Sequence, residues 1–579
     1  MDYPVYTRWY KTGCLYRNAY KIEVETHKIG GFFSMKKRVS FFLALALSLS
    51  TLVGCGGGGA TKSAGGDAAG NTAETSKVVN IAISENGITL DPHATNNQGS
   101  EALIVDTVFE PLVMTDNEGN FWPWLATDWE YNEDGTEWTF NLREGVTFNN
   151  GDPFTADDVV CSYQRLIDDN GMLARGVLFW PDELLSSVEK LGDYSVKIKL
   201  NRTYATALYS FAKTPIIPAT VYAAEGDSIF YNQNLVGTGP WVLDEWVDGQ
   251  YGSYHKNENY WNKANYDSYY DELKIHHVME KSSGIAGHIA GDLDANLVVG
   301  GINPEMISMY DNSLETIEIV EVESFSYYYM GLQCGEDSPF NDIAVRQAFD
   351  LAIDRQTIAD VIMGGGKALK SIIPEGVIGY DEALPKYEYN PEKAKELLAN
   401  SSYDGREIVL SSNTSTTKAE DQLQAISGML NEVGFNTKIE IVENATLQEM
   451  RSAGDYDAFL VICMHQGGDP GAAMNLRILN DCHKSNFVDD QMNELIQKAS
   501  QTMDEEARAD YFKQVTARMR EMSAPHSALY SPYSRYAVDY GVVGLDLYRD
   551  GTIRVAYVDY DENATTFHGP DYEKMTAGL

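Results

Sequence analysis

The chain has 579 residues and carries 85 Asp and Glu against 44 Lys and Arg, a formal net charge of −41. A field of that sign and size disfavours any partner built on phosphates, so nucleic acid is excluded as a partner class. The length exceeds what one hydrophobic core serves and points to two or three domains, while six cysteines give no disulfide scaffold.

The first informative stretch concerns location. Residues 36–38 are Lys-Lys-Arg, 41–49 are apolar, and Leu52-Val-Gly-Cys55 sets a small residue ahead of a cysteine. A basic start, a short apolar core and such a box make a lipoprotein signal peptide, and the apolar core is too short to span a bilayer. Cys55 is read as the mature N-terminus, lipidated through its sulfur, with an uncleaved signal or a buried cysteine as the alternative. Residues 1–34 show no folding or membrane pattern and are read as a mis-called extension ahead of a signal peptide at 35–54. Residues 55–76, rich in Gly, Ala, Ser and Thr, have nothing to bury and form a flexible tether.

Residues 77–84 (KVVNIAIS) read as a buried strand, followed by the turn Thr89-Leu-Asp-Pro-His93 and a polar loop holding Asn96 and Asn97. Glu137-Trp-Thr-Phe-Asn-Leu142 alternates two faces after turn residues 133–135, and Thr155-Ala-Asp-Asp158 caps a helix. Strands are expected at 194–200 and 326–332, a helix from 206 to 211, and a strand, helix, strand unit over 406–442. Residues 492–522 are largely helical and 527–532 return as a strand. The glycines of Val236-Gly-Thr-Gly-Pro-Trp241 permit a tight backbone crossing; with no Lys-Ser/Thr and no helix after them, they make no phosphate cradle.

Arg143-Glu-Gly-Val-Thr-Phe148, Asn150-Gly-Asp-Pro-Phe-Thr-Ala-Asp-Asp-Val159 and the preceding Asp128-Trp129 closely resemble the family 5 extracellular solute-binding proteins of ABC importers. Asn259-Tyr-Trp261, Val345-Arg-Gln-Ala348 and Ile353-Asp-Arg355 extend the likeness. That resemblance implies an α/β, two-lobed periplasmic-binding-protein-like fold (type II, large variant) with a hinge between the lobes. It places lobe I at 77–332, with a subdomain at about 111–230, lobe II at 333–524, and a return to lobe I at 525–579. It also implies a monomer that takes peptides, nickel complexes or related solutes, works with an ABC permease and ATPase, and needs no cofactor. Arg346 and Arg355 are read as structural ion-pair partners rather than ligands.

By the same resemblance the loop with Asn96 and Asn97 faces the cleft, where side-chain amides can meet solute carbonyls and amines; turn chemistry alone is the alternative. Trp241, Trp246 and the strand bearing Tyr327 and Tyr329 are candidate aromatic walls, or simply core. The family's peptide binders place a Trp and then an Asp, which meets the peptide's α-ammonium, where this chain reads Ile462-Cys-Met-His-Gln-Gly-Gly-Asp-Pro470. The Trp position falls at Cys463 and the acid at Gln466. Either Asp469 or another acid has taken over the ammonium, or the solute is not an ordinary peptide with a free N-terminus. Cys463, Met464, His465, Asp469 and His483 invite a nickel or copper reading, but their spacing matches no standard site. Cys463 and Cys482 either form a disulfide or stay reduced. No Gly-x-Ser-x-Gly and no His-Glu-x-x-His occurs, so an enzyme is not expected; a glycoside binder or a surface hydrolase stands as an alternative.

Overall fold

The computed structural model describes residues 76–579 except 85–86, 96–97, 170–172, 181–182, 299–301 and 311. The lipidation expected at Cys55 and the solute contacts expected from Asn96 and Asn97 fall outside the described residues. Among the described residues, no helix is long and apolar enough to cross a membrane.

Three larger sheets organise the chain. The first runs from Ile317–Glu323 through Tyr530–Asp539, Ala295–Leu297, Val78–Ile83, Glu272–His277 and Tyr251–Lys256 to Trp241–Val247. Val78–Ile83 buries Val79, Ile81 and Ile83 on one face and sits inside this sheet, parallel to a neighbour on either side. Close packing beside it depends on Gly237 and Gly239: a Cβ there would stand 1.9 Å from the Val108 carbonyl oxygen and 2.4 Å from that of Thr107. The crossing expected at Val236-Gly-Thr-Gly-Pro-Trp241 is therefore present, and a strand follows it.

The second sheet orders Ala126–Tyr131, Glu137–Leu142, Ser195–Leu200 and Leu185–Gly192. Trp138, Phe140 and Leu142 alternate inward from it, and the helix Ala156–Asp168 packs nearby. That helix starts where the sequence puts it. The Thr155 hydroxyl accepts the Asp157 N–H at 3.3 Å and the Asp158 carboxylate accepts the Thr155 N–H at 2.8 Å. The reciprocal bonds satisfy donors that a helix start otherwise leaves unpaired, and the acids suit the positive end of its dipole.

The third sheet orders Asn436–Val442, Glu407–Asn413, Ala458–Met464, Ser326–Leu332 and His526–Ala528. Its parallel pair Glu407–Asn413 and Asn436–Val442 is joined by the helix Ala419–Val433, the expected strand, helix, strand unit. Ser326–Leu332 pairs along its whole length with Ala458–Met464 and also with His526–Ala528. Ser326–Leu332, which the resemblance counts with lobe I, is thus hydrogen-bonded into the third sheet, as is His526–Ala528. Alternation identifies a strand; it does not name partners distant in sequence.

The two chain crossings between the first and third sheets are braced by one another and by Arg549. The Phe325 N–H donates to the Arg549 carbonyl at 2.7 Å, and the Ser531 hydroxyl donates to the Ser324 carbonyl at 2.6 Å. The Arg549 guanidinium lies 4.5 Å over the Phe325 ring and donates to the Glu375 carbonyl at 2.6 Å. Arg355 is the ion-pair partner expected, whereas Arg346 donates to backbone carbonyls and, among the described residues, has no carboxylate in an ion pair. Arg355 pairs with Asp350 at 2.8 Å and donates to the Ser527 hydroxyl at 2.9 Å, while Arg346 donates to the Phe340 carbonyl at 2.6 Å.

Candidate functional site

His465 follows the strand Ala458–Met464, and the loop after it reaches from the third sheet to Tyr209 and Asp550. The His465 backbone N–H bonds the Phe325 carbonyl at 3.3 Å, its Nε2 meets the Ile372 carbonyl at 2.8 Å, and its ring stacks on Tyr327 at 4.9 Å. Burial pushes this imidazole down to about 4, against the pull of the Ile372 carbonyl, so it is neutral with the proton on Nε2. Gln466–Gly468 then forms one tight turn in which Gly467 takes φ +58°, a backbone region that favours glycine. A Cβ on Gly467 would meet the Tyr209 ring at 2.5 Å.

Two first-lobe segments receive this turn. The helix Ala207–Ala212 supplies Tyr209 and leads into Lys213; the turn between Asp546–Leu547 and Ile553–Arg554 supplies Asp550. Asp550 Oδ2 accepts the Tyr209 hydroxyl at 2.9 Å and, at 3.4 Å, the Gly467 N–H; its Oδ1 accepts the Thr552 N–H at 3.0 Å. Burial works to raise the Asp550 pKa, but the Lys213 charge and these donors outweigh it and hold the carboxyl below its usual range. Lys213 is itself buried, 5.5 Å from the Tyr209 ring centroid and 5.2 Å from that of Tyr548. A carboxylate kept charged by a nearby buried lysine therefore sits where the lobes meet, offering an acceptor to a backbone N–H from the opposite lobe. The contact exists only while the lobes are together.

The expected site residues divide sharply. Met464 and Gln466, which flank His465, are exposed, as is Ile462 in the strand before them. Asp469 is not available to an ammonium: it pairs with Arg508 at 2.7 Å and accepts the Gly471 N–H at the same distance. Trp241 is core rather than wall, its indole N–H donating to the Ala556 carbonyl at 2.7 Å. Tyr327 and Tyr329 are likewise core, because they project from the covered face of the third sheet. His465 is buried beneath the loop, not presented by it. Among the described residues, no group of three or more His, Cys, Asp or Glu converges to hold a metal ion. Cys463 and Cys482 are thiols with no disulfide between them. Tyr209, Lys213 and Asp550 carried no local signal in the sequence, since only tertiary folding brings a helix end and a distant hairpin turn to one loop.

A family model for bacterial extracellular solute-binding proteins, family 5 Middle, matches residues 120–481. The chain belongs to that family. Heme-binding protein A of Haemophilus influenzae is 27% identical over 453 residues, covering 71% of this chain and 80% of that protein. Di/tripeptide-binding protein 1 of Pseudomonas aeruginosa is 26% identical over 475 residues, covering 76% and 86%. The solved structure of HbpA2 from Haemophilus parasuis matches with a TM-score of 0.75 at 24% identity, covering 84% of this chain and all of that one. This family 5 protein is thus a two-lobed extracytoplasmic solute-binding protein of ABC importers. The relatives are binding proteins of transport, which sets the hydrolase alternative aside.

Proposed function

We propose that this protein, lipid-anchored through Cys55, captures a peptide-like solute between its lobes and hands it to a membrane permease. The observation that carries this reading is the contact of Gly467 with Tyr209 and Asp550, which ties closure of the two lobes to the loop where the family's solute is met. Ile462 and Met464, 44% and 37% exposed, set an apolar edge on the strand that leads into that loop, and Gln466 gives the loop a neutral amide. Such a surface suits burial of a peptide backbone and side chains through contact area and amide hydrogen bonds. With Asp469 committed to Arg508, the solute's α-ammonium finds no unpaired carboxylate on the loop, so recognition does not depend on it. The metal-chelate reading has less support, since His465, His483 and Cys463 are all buried.

Thermal melting with a panel of short peptides, free and N-acetylated, tests this. Peptides that raise Tm without being cleaved, with acetylated and free forms within a few-fold in affinity, are expected. Turnover of any peptide, or strict loss of binding on acetylation, contradicts the reading. Cys55→Ala is expected to move the protein from the membrane fraction to the soluble one.

A further inference from the structure

The lobes also meet at a second place, which shares no residue with the site loop. On the first lobe, the Ile302 N–H donates to the Arg535 carbonyl at 2.7 Å and leads into the short helix Pro304–Ile307, with Glu305 in its first turn. On the second lobe, Ile358, Ala359 and Met363 pack in the core of the third sheet, and the chain then turns at Gly364 with φ +72°. The turn packs against the first-lobe proline: a Cβ on Gly364 would stand 2.3 Å from Pro304 Cγ. The Arg535 guanidinium, paired with Glu321 at 2.7 Å, donates to the Gly364 carbonyl at 3.2 Å.

Lys418 adds charge to this contact. It precedes the helix Ala419–Val433 with φ +49° and ψ +37°, a left-handed conformation that disfavours any residue carrying a Cβ. Its carbonyl accepts the Gln422 N–H at 2.9 Å, and the Thr417 carbonyl accepts from the Gln422 side-chain amide at 2.7 Å. The Gln422 amide oxygen accepts the Tyr530 hydroxyl at 2.8 Å, which fixes this turn to the strand where the chain returns to the first sheet. Held at that angle, the Lys418 ammonium donates across the lobes to the Glu305 carboxylate, and to the Ile362 carbonyl of its own lobe at 2.8 Å. The hydrogen bond from Lys418 holds the Glu305 carboxyl below its usual range, so the acid stays ionised.

Nothing local asks for lysine at position 418. Glycine fits a left-handed turn without strain, and the Lys418 side chain caps no N–H of the helix that follows. What this side chain supplies is reach to the opposite lobe. We propose that Pro304 and Glu305 with Gly364 and Lys418 form a clasp, an ionic latch that biases the lobes toward closure independently of the solute and lets ionic strength set the closed population. The Lys418 and Glu305 side chains are 24% and 62% exposed, so salt screens their attraction, whereas the contact of Gly364 with Pro304 is apolar and unscreened. The inference rests on the lobe closure of the proposed function and not on the class of solute.

Hydrogen–deuterium exchange of the full-length protein reads closure at Gln466–Gly468, because the Gly467 N–H meets Asp550 only across the lobes. In about 20 mM sodium chloride, Glu305→Gln is expected to speed exchange there about threefold, and the gap from the unaltered protein is expected to close in about 500 mM. Lys418→Gly is expected to give the same acceleration without lowering Tm, because glycine suits the left-handed backbone. Unchanged or slower exchange in Glu305→Gln overturns the proposal, as does a gap undiminished by salt. A lower Tm in Lys418→Gly overturns it too, since the lysine then serves the fold of its own lobe. Asp550→Ala separates the two readings. If it speeds exchange at Gly467 and Glu305→Gln does not, closure stands and the clasp fails; if it leaves exchange unchanged, closure itself fails.

Discussion

Gln466 and Asp469 stand three residues apart and play unlike parts. Gln466 is exposed at the lobe junction, whereas Asp469 spends its charge on Arg508. Gln466→Asp adds an unpaired carboxylate at the family's ammonium position and is expected to tighten binding of free-amine peptides by about tenfold relative to their acetylated forms, measured by calorimetry. Asp469→Asn is expected to leave that ratio unchanged and to cost about 3 kcal/mol of stability in denaturant unfolding, because a buried guanidinium loses its partner. Glu110 makes a separate prediction. It is wholly buried and accepts the indole N–H groups of Trp124 at 2.7 Å and Trp261 at 2.9 Å and the Tyr260 hydroxyl at 3.0 Å. Burial nevertheless outweighs those donors and pushes its carboxyl up to about 7, from an ordinary 4.5. The folded state therefore holds a proton that the unfolded state releases between those values, so this group's contribution to stability is full below about 4.5 and is lost as pH rises through 7. Melting curves across that window are expected to show the decline, with a slope that Glu110→Gln removes.

At the scale of elements, the turn Gln466–Gly468 matters because of what receives it. Gly467→Val places a branched side chain against the Tyr209 ring at a positive φ. Solute affinity is expected to fall about tenfold, with small-angle scattering showing an open form even with solute present, and with little change in global stability. Wild-type affinity in this variant would remove the turn from the closing surface. The elements themselves were legible wherever side chains alternate or a helix is capped: Glu137–Leu142 and Ser326–Leu332 stand at the expected residues, Asn436–Val442 closes the expected strand, helix, strand unit, and Thr155 caps as expected. Their partners were not. Ser326–Leu332 is buried at six successive positions, a pattern equally compatible with either lobe, and only its register with Ala458–Met464 assigns it. For the same reason a row of three tyrosines did not disclose that Tyr327 and Tyr329 face a covered surface while Tyr328 stacks on Tyr530 from the other side. Asp550 was invisible because nothing near it in the sequence differs from an ordinary turn.

For the whole molecule, two adjacent chain crossings joined by hydrogen bonds connect the first and third sheets, and on the proposed function they serve as the hinge for a shift between open and closed populations. A solute shifts that balance only by its difference in affinity for the two states, and the Gly467, Tyr209 and Asp550 contact biases the closed one. A net charge of −41 opposes the close approach of other acidic bodies. The most direct measurement is native mass spectrometry of the protein purified without refolding, followed by denaturing release of whatever it carries. Capture of a peptide-like solute predicts a set of released masses that fragment as short peptides, unmodified by the protein. A single released mass that fragments as a metal chelate or a glycoside would contradict it.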